Sequence, residues 1–339
     1  MASQTPAWTL TSQKGISSLK FVENHPLPAL GYHDVRIKIH AASLNYRDLA
    51  IALGKFNLTI KDNIVPASDG AGVVEAVGSQ VCTFKPGDRV CTHMTTHMAD
   101  DTPATFADIG AGLGQHVDGT LRSHGVYHET SLVKMPDNLT FDEATTLTCS
   151  GLTAWNSLFG LQGREPKKGS VVLVQGTGGV SIAALQFALA SGATVIATTS
   201  NDAKASKLKS LGAHHGTTAK GLTLDGRGVD LIVEVGAAST LPQSLKAIRP
   251  EGVIALAGLL GGACSPDMPS LMDGLSYLCT SRGLLLGSRV QFHAMNQFIE
   301  ENDITPVLDE KVFDLYQVRE AYEYLEQQKH FSEVVVRVC

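Results

Sequence analysis

The chain has 339 residues, 43% hydrophobic and 18% charged, a size and balance that fit two globular domains with substantial cores. A net charge of −6 and a pI of about 6.0 argue against nucleic acid or an anionic membrane as a partner. No apolar run is long enough to span a bilayer.

The opening Met1-Ala-Ser-Gln-Thr-Pro6 lacks the basic region and apolar core of a secretory signal. The six cysteines (Cys82, Cys91, Cys149, Cys264, Cys279 and Cys339) are scattered, with no Cys-x-x-Cys pair. That pattern fits free thiols in a cytoplasmic protein.

The first part of the chain reads as β-rich. Residues 35–40 alternate apolar and polar side chains, as a half-buried strand does. Residues 73–78 and 85–90 predict strand, turn and strand. Residues 92–125 are irregular and rich in Gly, Asp, Thr and His. A loop of that length is more often functional than idle. Residues 142–160 predict a helix.

Strand, glycine turn, helix and strand then follow from Val171 to Ser200. Residues 171–174 are apolar and mostly β-branched, as in a strand buried on both faces. Gly176, Thr177, Gly178, Gly179 and Val180 form a turn where backbone can approach a ligand closely. No breaker interrupts residues 180–190, Gly192 ends that helix, and residues 194–199 form the second strand. A helix N-terminus presents unpaired N–H groups and partial positive charge, so a diphosphate is its natural ligand. Ser181 replaces the third glycine of the Gly-x-Gly-x-x-Gly pattern and is small enough for close helix–sheet packing.

An NAD site usually has Asp or Glu at the end of the second strand. Here the strand ends Thr198-Thr199-Ser200-Asn201, with Lys204 three residues beyond. Thr199, Ser200 and Lys204 offer hydroxyls and a cation, which suit a 2′-phosphate. The expected cofactor is NADP(H).

The alternation continues. Residues 230–235 predict a strand, 241–248 a helix, and 252–258 and 284–287 further strands. Helices over 292–302 and 318–328 precede a last strand over 333–338. This predicts an α/β protein with a doubly wound parallel sheet over residues 139–289. Residues 1–138 and 290–339 then build a second, mostly antiparallel domain. Gly236, Gly258 and Leu259 stand at or just past strand C-termini, where ligands of such sheets bind.

The chain resembles the medium-chain dehydrogenases/reductases, in their zinc-free quinone-oxidoreductase-like branch. The resemblance covers essentially the whole chain. Its marks are Ala41-Ala-Ser-Leu-Asn-Tyr-Arg-Asp48, Asp69-Gly-Ala-Gly-Val-Val-Glu-Ala-Val-Gly78, Phe84-Lys-Pro-Gly-Asp-Arg-Val90, Cys149-Ser-Gly-Leu-Thr-Ala-Trp155 and the Gly176 turn. It implies a GroES-like catalytic domain beside a Rossmann cofactor domain, a small-molecule substrate, and dimers paired through the cofactor domain. It also implies that Thr153, Ser288 and Arg289 lie near the cofactor. Many relatives carry Gly-Lys before the last strand, where this chain has Ser332-Glu333.

Zinc relatives of that family place Cys at the Asn45 position, His-Glu at Ser68-Asp69, and a third ligand at Cys149. Only Cys149 matches a ligand type, and a catalytic zinc needs three. Residues 95–115 hold none of the four cysteines of the structural-zinc lobe, and the histidines His93, His97, His116, His124 and His128 show no metal-ligand spacing. No metal is expected. Without a Lewis acid, a conjugated double bond or quinone is an easier hydride acceptor than a simple carbonyl, because hydrogen-bond donors stabilise the enolate oxygen that forms. By resemblance the donors are Asn45 and Tyr46, and the proton comes from Tyr46, His93 or water. Arg47 and Asp48 read as a structural ion pair. Two other readings stay open: a zinc-free alcohol dehydrogenase or carbonyl reductase, and a nucleotide-binding protein without redox activity.

Overall fold

The computed structural model describes residues 4–55, 59–217, 228–262 and 266–339, the side chains of 215–217 excepted. Cys264 and residues 1–3 of the opening segment lie outside the described residues. The chain divides into two compact units, Met1–Ser150 with Ser288–Cys339, and Gly151–Gly287.

In the first unit, β1 (Gln4–Leu10) and β2 (Leu19–Pro26) pair antiparallel. They are followed by β3 (Asp34–Leu44), α1 (Tyr46–Ala52), β4 (Asp69–Val77) and β5 (Arg89–Thr92). Next come α2 (Phe106–Ala111), β6 (His124–His128), β7 (Leu132–Lys134) and α3 (Phe141–Ala144), and α4 (Ser150–Phe159) then opens the second unit.

The second unit continues with β8 (Val171–Gln175), α5 (Gly179–Ala190), β9 (Thr194–Thr198), α6 (Asp202–Ser210) and β10 (His215–Thr217). It closes with β11 (Val229–Glu234), α7 (Leu241–Ala247), β12 (Ile248–Leu256), α8 (Asp273–Ser276) and β13 (Thr280–Gly283). The C-terminal return to the first unit adds α9 (Arg289–Glu301), β14 (Phe313–Asp314), α10 (Val318–Glu326) and β15 (Val334–Arg337).

The first unit is a GroES-like fold on a sheet ordered β14-β15-β3-β4-β5-β7, with β6 beside β3. Its pairings are antiparallel except β14 with β15. Alternate residues of β3 (Val35, Ile37 and Ile39) enter one core with Val74, Val90 and Leu132. On α10, Val318, Ala321, Tyr322 and Leu325 recur at helical spacing and pack with Leu44, Leu49, Val334 and Val336. Burial of these side chains is the main force holding β15 against β3.

The second unit is a parallel sheet ordered β10-β9-β8-β11-β12-β13, the doubly wound order whose direction reverses between β8 and β11. Among the described residues, no helix is long and apolar enough to cross a membrane. The described cysteines, Cys82, Cys91, Cys149, Cys279 and Cys339, are unpaired thiols.

Three local expectations differ from the structure. Residues 139–150 pack with the first unit, because α3 sits on β3 and β4. The helix expected over 142–160 is broken between α3 and α4. There Thr146 Oγ1 donates to the Glu143 carbonyl (2.7 Å), Thr148 Oγ1 to the Thr92 carbonyl (2.7 Å), and the Cys149 N–H to Asp69 (2.8 Å). Side-chain bonds of this kind compete with a regular helix. The strand expected at 284–287 is instead β13 over Thr280–Gly283. Leu286 has φ +51°, which ends an extended run.

Candidate active site

The cofactor half lies at the C-terminal ends of β8, β9, β11 and β12. Gly176 leaves β8 at φ +79°, where a side chain is strained. Gly178 has an ordinary φ of −81°, and a Cβ there would meet nothing within 4 Å. Neither packing nor backbone angle of this chain demands glycine at 178. The space beside Gly178 is open. Gly178 also begins the twelve-residue α5 without a side-chain cap, so the first N–H groups of Gly179, Val180 and Ser181 have no capping side chain. Thr177 is buried beside them. Ser181 is buried, and its Oγ donates to the Gln175 carbonyl at 2.6 Å, tying helix to strand where a glycine would only permit contact. This open, uncapped cradle fits a dinucleotide diphosphate.

At the end of β9, Thr199 is half-buried and Ser200 exposed. Asn201 caps α6 by accepting the Lys204 N–H (3.2 Å), and Lys204 is half-buried. No carboxylate occupies the strand end; Asp202, the first residue of α6, is exposed. Gly236 gives its N–H to Glu234 (2.9 Å), and a Cβ on Gly258 would come within 2.8 Å of the Val235 carbonyl oxygen. Leu259 is exposed and Thr153 buried in α4.

One organiser here had no sequence signal. Glu234 is fully buried and accepts from the N–H groups of Gly236 and Ala237 and the hydroxyls of Thr240 and Ser244. Ser244 in turn accepts from Gln175 Nε2 at 2.7 Å. Glu234 thereby fixes the ends of β8 and β11 at the reversal point.

In the first unit, Asn45 closes β3 and caps α1. Its N–H donates to Asp48 (2.8 Å), and its Oδ1 accepts from Ser150 Oγ at 3.0 Å. Asn45 Nδ2 is buried and faces Asp69, and its hydrogen bond favours the ionised carboxylate. Burial, partly offset by Arg47, pushes the Asp48 carboxyl up to about 6. Burial also pushes Asp69 up to about 7, against hydrogen bonds from Ser68 (2.6 Å) and the Cys149 N–H (2.8 Å).

Arg47 Nη1 stands 3.7 Å from Asp48 and Arg47 Nη2 donates to Gln115 (3.2 Å), so the pair is structural as well as local. Tyr46 is half-buried, with Lys55 Nζ 5.4 Å from its ring centre. His93 is buried, Nδ1 3.1 Å from Thr95 Oγ1 and its ring 6.2 Å from Phe292. Ser288 caps α9 through the Gln291 N–H (3.3 Å), and Arg289 pairs with Asp100.

Positions 45, 68 and 149 do not form a zinc donor set. Asn45 and Ser68 are neutral and engaged with Ser150 and Asp69. Of the three, only Cys149 is of a ligand type, and a catalytic zinc needs three protein ligands. Among the described residues, no group of three or more His, Cys, Asp or Glu is placed to hold a metal ion.

Residues 31–137 match the alcohol dehydrogenase GroES-like domain and residues 179–301 the zinc-binding dehydrogenase domain. A zinc-type alcohol dehydrogenase-like protein of Schizosaccharomyces pombe is 41% identical over 96% of both chains. The chain belongs to the medium-chain dehydrogenase/reductase superfamily. Within it, the chain falls in the quinone-oxidoreductase-like branch. An NADPH-dependent alkenal/one oxidoreductase of Arabidopsis thaliana is 29% identical over 97% of this chain and 78% of that one. A putative alcohol dehydrogenase from Sinorhizobium meliloti has a similar crystal structure, with TM-score 0.90, 34% identity and full coverage of both chains. This superfamily member is an oxidoreductase that uses a nicotinamide cofactor.

Glu333, just before the last strand, is buried. Burial, then the charges of Asp69 and Asp48, push its carboxyl well above the usual range, against a Ser150 hydrogen bond.

Proposed function

We propose that the protein is an NADPH-dependent reductase of conjugated enones or quinones that works without zinc. The observation that carries the reading is Asn45, a buried amide whose Oδ1 accepts from Ser150 and whose Nδ2 lies against Asp69, so that Asn45 is held in one orientation. An amide nitrogen carries two hydrogens, so one can go to Asp69 and the second to a substrate oxygen. Bound NADPH supplies the hydride. As hydride adds to the β-carbon, the C=C electron pair moves to form an enolate, and Asn45 Nδ2–H donates to its oxygen. A proton from solvent, relayed by Tyr46 or His93, then forms the new C–H bond at the α-carbon. The Arabidopsis relative's printed activity, on alkenals and alkenones, supports this acceptor class.

NADPH rather than NADH follows from Thr199, Ser200 and Lys204, with no acid at the end of β9. The check is equilibrium titration of both nucleotides against wild type and Lys204→Glu. Wild type is expected to bind NADPH more tightly than NADH. Lys204→Glu is expected to weaken NADPH by about tenfold to a hundredfold, the range of a charge-assisted contact, with NADH little changed. Equal weakening of both nucleotides would contradict the phosphate assignment.

A further inference from the structure

Three turns leave the carboxyl ends of β8, β11 and β12, and the sheet order reverses between the first two, where ligands of such sheets bind. Glu234, the last residue of β11, is fully buried there. Its Oε1 accepts the N–H groups of Gly236 (2.9 Å) and Ala237 (3.1 Å) and the Thr240 hydroxyl. Its Oε2 accepts the Ser244 hydroxyl. The turn after β11 is therefore wrapped around the carboxyl group. Ala237 sits in that turn at φ +47°, a conformation that persists only where the surroundings hold it.

The two neighbouring turns are tied to this one. On one side, Ser244 Oγ accepts from Gln175 Nε2 at 2.7 Å, and Gln175 ends β8 just before Gly176 opens the diphosphate cradle. On the other, Leu260 and Gly261 give their N–H groups to the Val235 and Gly236 carbonyls, both at 3.1 Å, and Ala238 gives its N–H to the Gly262 carbonyl at 3.2 Å. A Cβ on Gly261 would collide with the Gly236 carbonyl and the Ser239 side chain. The turn after β12 thus rests directly on the turn that Glu234 shapes.

We propose that Glu234 is a positioning residue for the cofactor: it holds the three turns in their nucleotide-binding arrangement before the nucleotide arrives. This rests on the reading of these strand ends as the nicotinamide-nucleotide site. Preformed turns spare the nucleotide the cost of ordering them, so the carboxyl group raises affinity without touching the ligand. The gain is the same for NADPH and NADH. The 2′-phosphate is assigned to Thr199, Ser200 and Lys204 after β9, which none of these hydrogen bonds reaches.

The direction of the hydrogen bonds decides which substitutions are tolerated. Ser244 has one hydroxyl hydrogen and gives it to Glu234, so it can only accept from Gln175. In Glu234→Gln, Oε1 keeps its three donors and the new Nε2 donates to Ser244. Ser244 then turns its hydrogen toward Gln175, and the Gln175 amide turns to offer Oε1, which in wild type is buried without a hydrogen-bond partner. Every tie survives with the chain of donors reversed. Glu234→Ala removes all four bonds at once.

The test titrates both nucleotides against wild type, Glu234→Gln, Glu234→Ala and Ser244→Ala, each checked for folding by circular dichroism. Glu234→Ala is expected to raise the Kd of NADPH and of NADH alike by about tenfold to a hundredfold, and Glu234→Gln by less than about threefold. Ser244→Ala frees Gln175 but leaves the Oε1 bonds. It is expected to raise both Kd values about three- to tenfold, and it carries the test if Glu234→Ala does not fold. Amide hydrogen exchange reads the turn before any ligand is added. Gly236 and Ala237 are expected to be protected in wild type and Glu234→Gln, and to exchange fast in Glu234→Ala. Folded alanine variants that bind both nucleotides within about twofold of wild type would overturn the proposal, whatever their melting temperature. So would a loss confined to NADPH, which would place the effect at the 2′-phosphate. A wild type that binds neither nucleotide would defeat the cofactor reading itself, while the exchange pattern still reports whether Glu234 holds the turn.

Discussion

Asn45→Ala is expected to lower kcat for enone reduction by about 10²- to 10³-fold, the effect of deleting one preorganised donor to a developing oxyanion. Asn45→Asp is expected to lose nearly as much, since it keeps the volume but replaces the donor with an acceptor. NADPH affinity is expected to stay within about twofold of wild type in both, because the nucleotide cradle belongs to the other unit and the lost interaction forms only as charge develops. Steady-state kinetics with nucleotide titration measures this. A kcat within about threefold of wild type in Asn45→Ala would remove Asn45 from the chemistry.

The largest effect on stability is expected at Asp118. Its Oδ2 lies 3.0 Å from Lys61 Nζ and 3.9 Å from Arg122 Nη1, and its Oδ1 accepts the Val65 N–H at 3.2 Å. The Arg122 side chain is 1% exposed, its guanidinium 5.1 Å from the Tyr127 ring centre. Asp118→Ala strands that cation in the core and is expected to cost about 3–5 kcal/mol, whereas Asp118→Ala with Arg122→Leu recovers part of the loss. Denaturant unfolding of the three proteins decides it. A single-mutant loss below about 1 kcal/mol would show that Arg122 finds other compensation.

The same region sets opposite pH dependences. Burial pushes Asp118 up, but Arg122, Lys61 and Val65 together hold it below 3.8, its ordinary value. Its contribution is therefore present above that value and lost as pH falls through the folded pKa. Asp48 and Asp69 are raised to about 6 and about 7, so the folded state holds protons that the unfolded state releases. Their contribution is present at acid pH and lost as pH rises through 6 and 7.

The cofactor half was legible because it is local. A buried strand, a glycine turn and a helix follow one another within thirty residues, and each constraint is written in adjacent side chains. Even Ser181, which breaks the glycine pattern, could be accepted on size, although its bond to Gln175 could not be foreseen. Around α1 the sequence pointed to Asn45 and Tyr46, with His93 further on, but not to Ser150 or to the burial of Glu333. Ser150 is 105 positions from Asn45, and Glu333 stands just before the last strand. That burial depends on β15 pairing with β3, which no periodicity reveals. Glu234 was hidden because a carboxylate at a strand end looks like a solvated charge until four donors converge on it. Residues 284–287 were read as a strand because apolar runs resemble strands. The real edge strand, β13, is mostly exposed and carries no such run.

Hydride transfer to a conjugated carbon without metal is the central claim, and isotope transfer tests it most directly. Chelator-treated protein would be given NADPH deuterated at the nicotinamide C4 and but-3-en-2-one, and the product read by mass spectrometry and NMR. The expected product is butan-2-one with one deuterium on the former β-carbon. Deuterium on the carbinol carbon of but-3-en-2-ol, or turnover only after zinc is restored, would contradict the account.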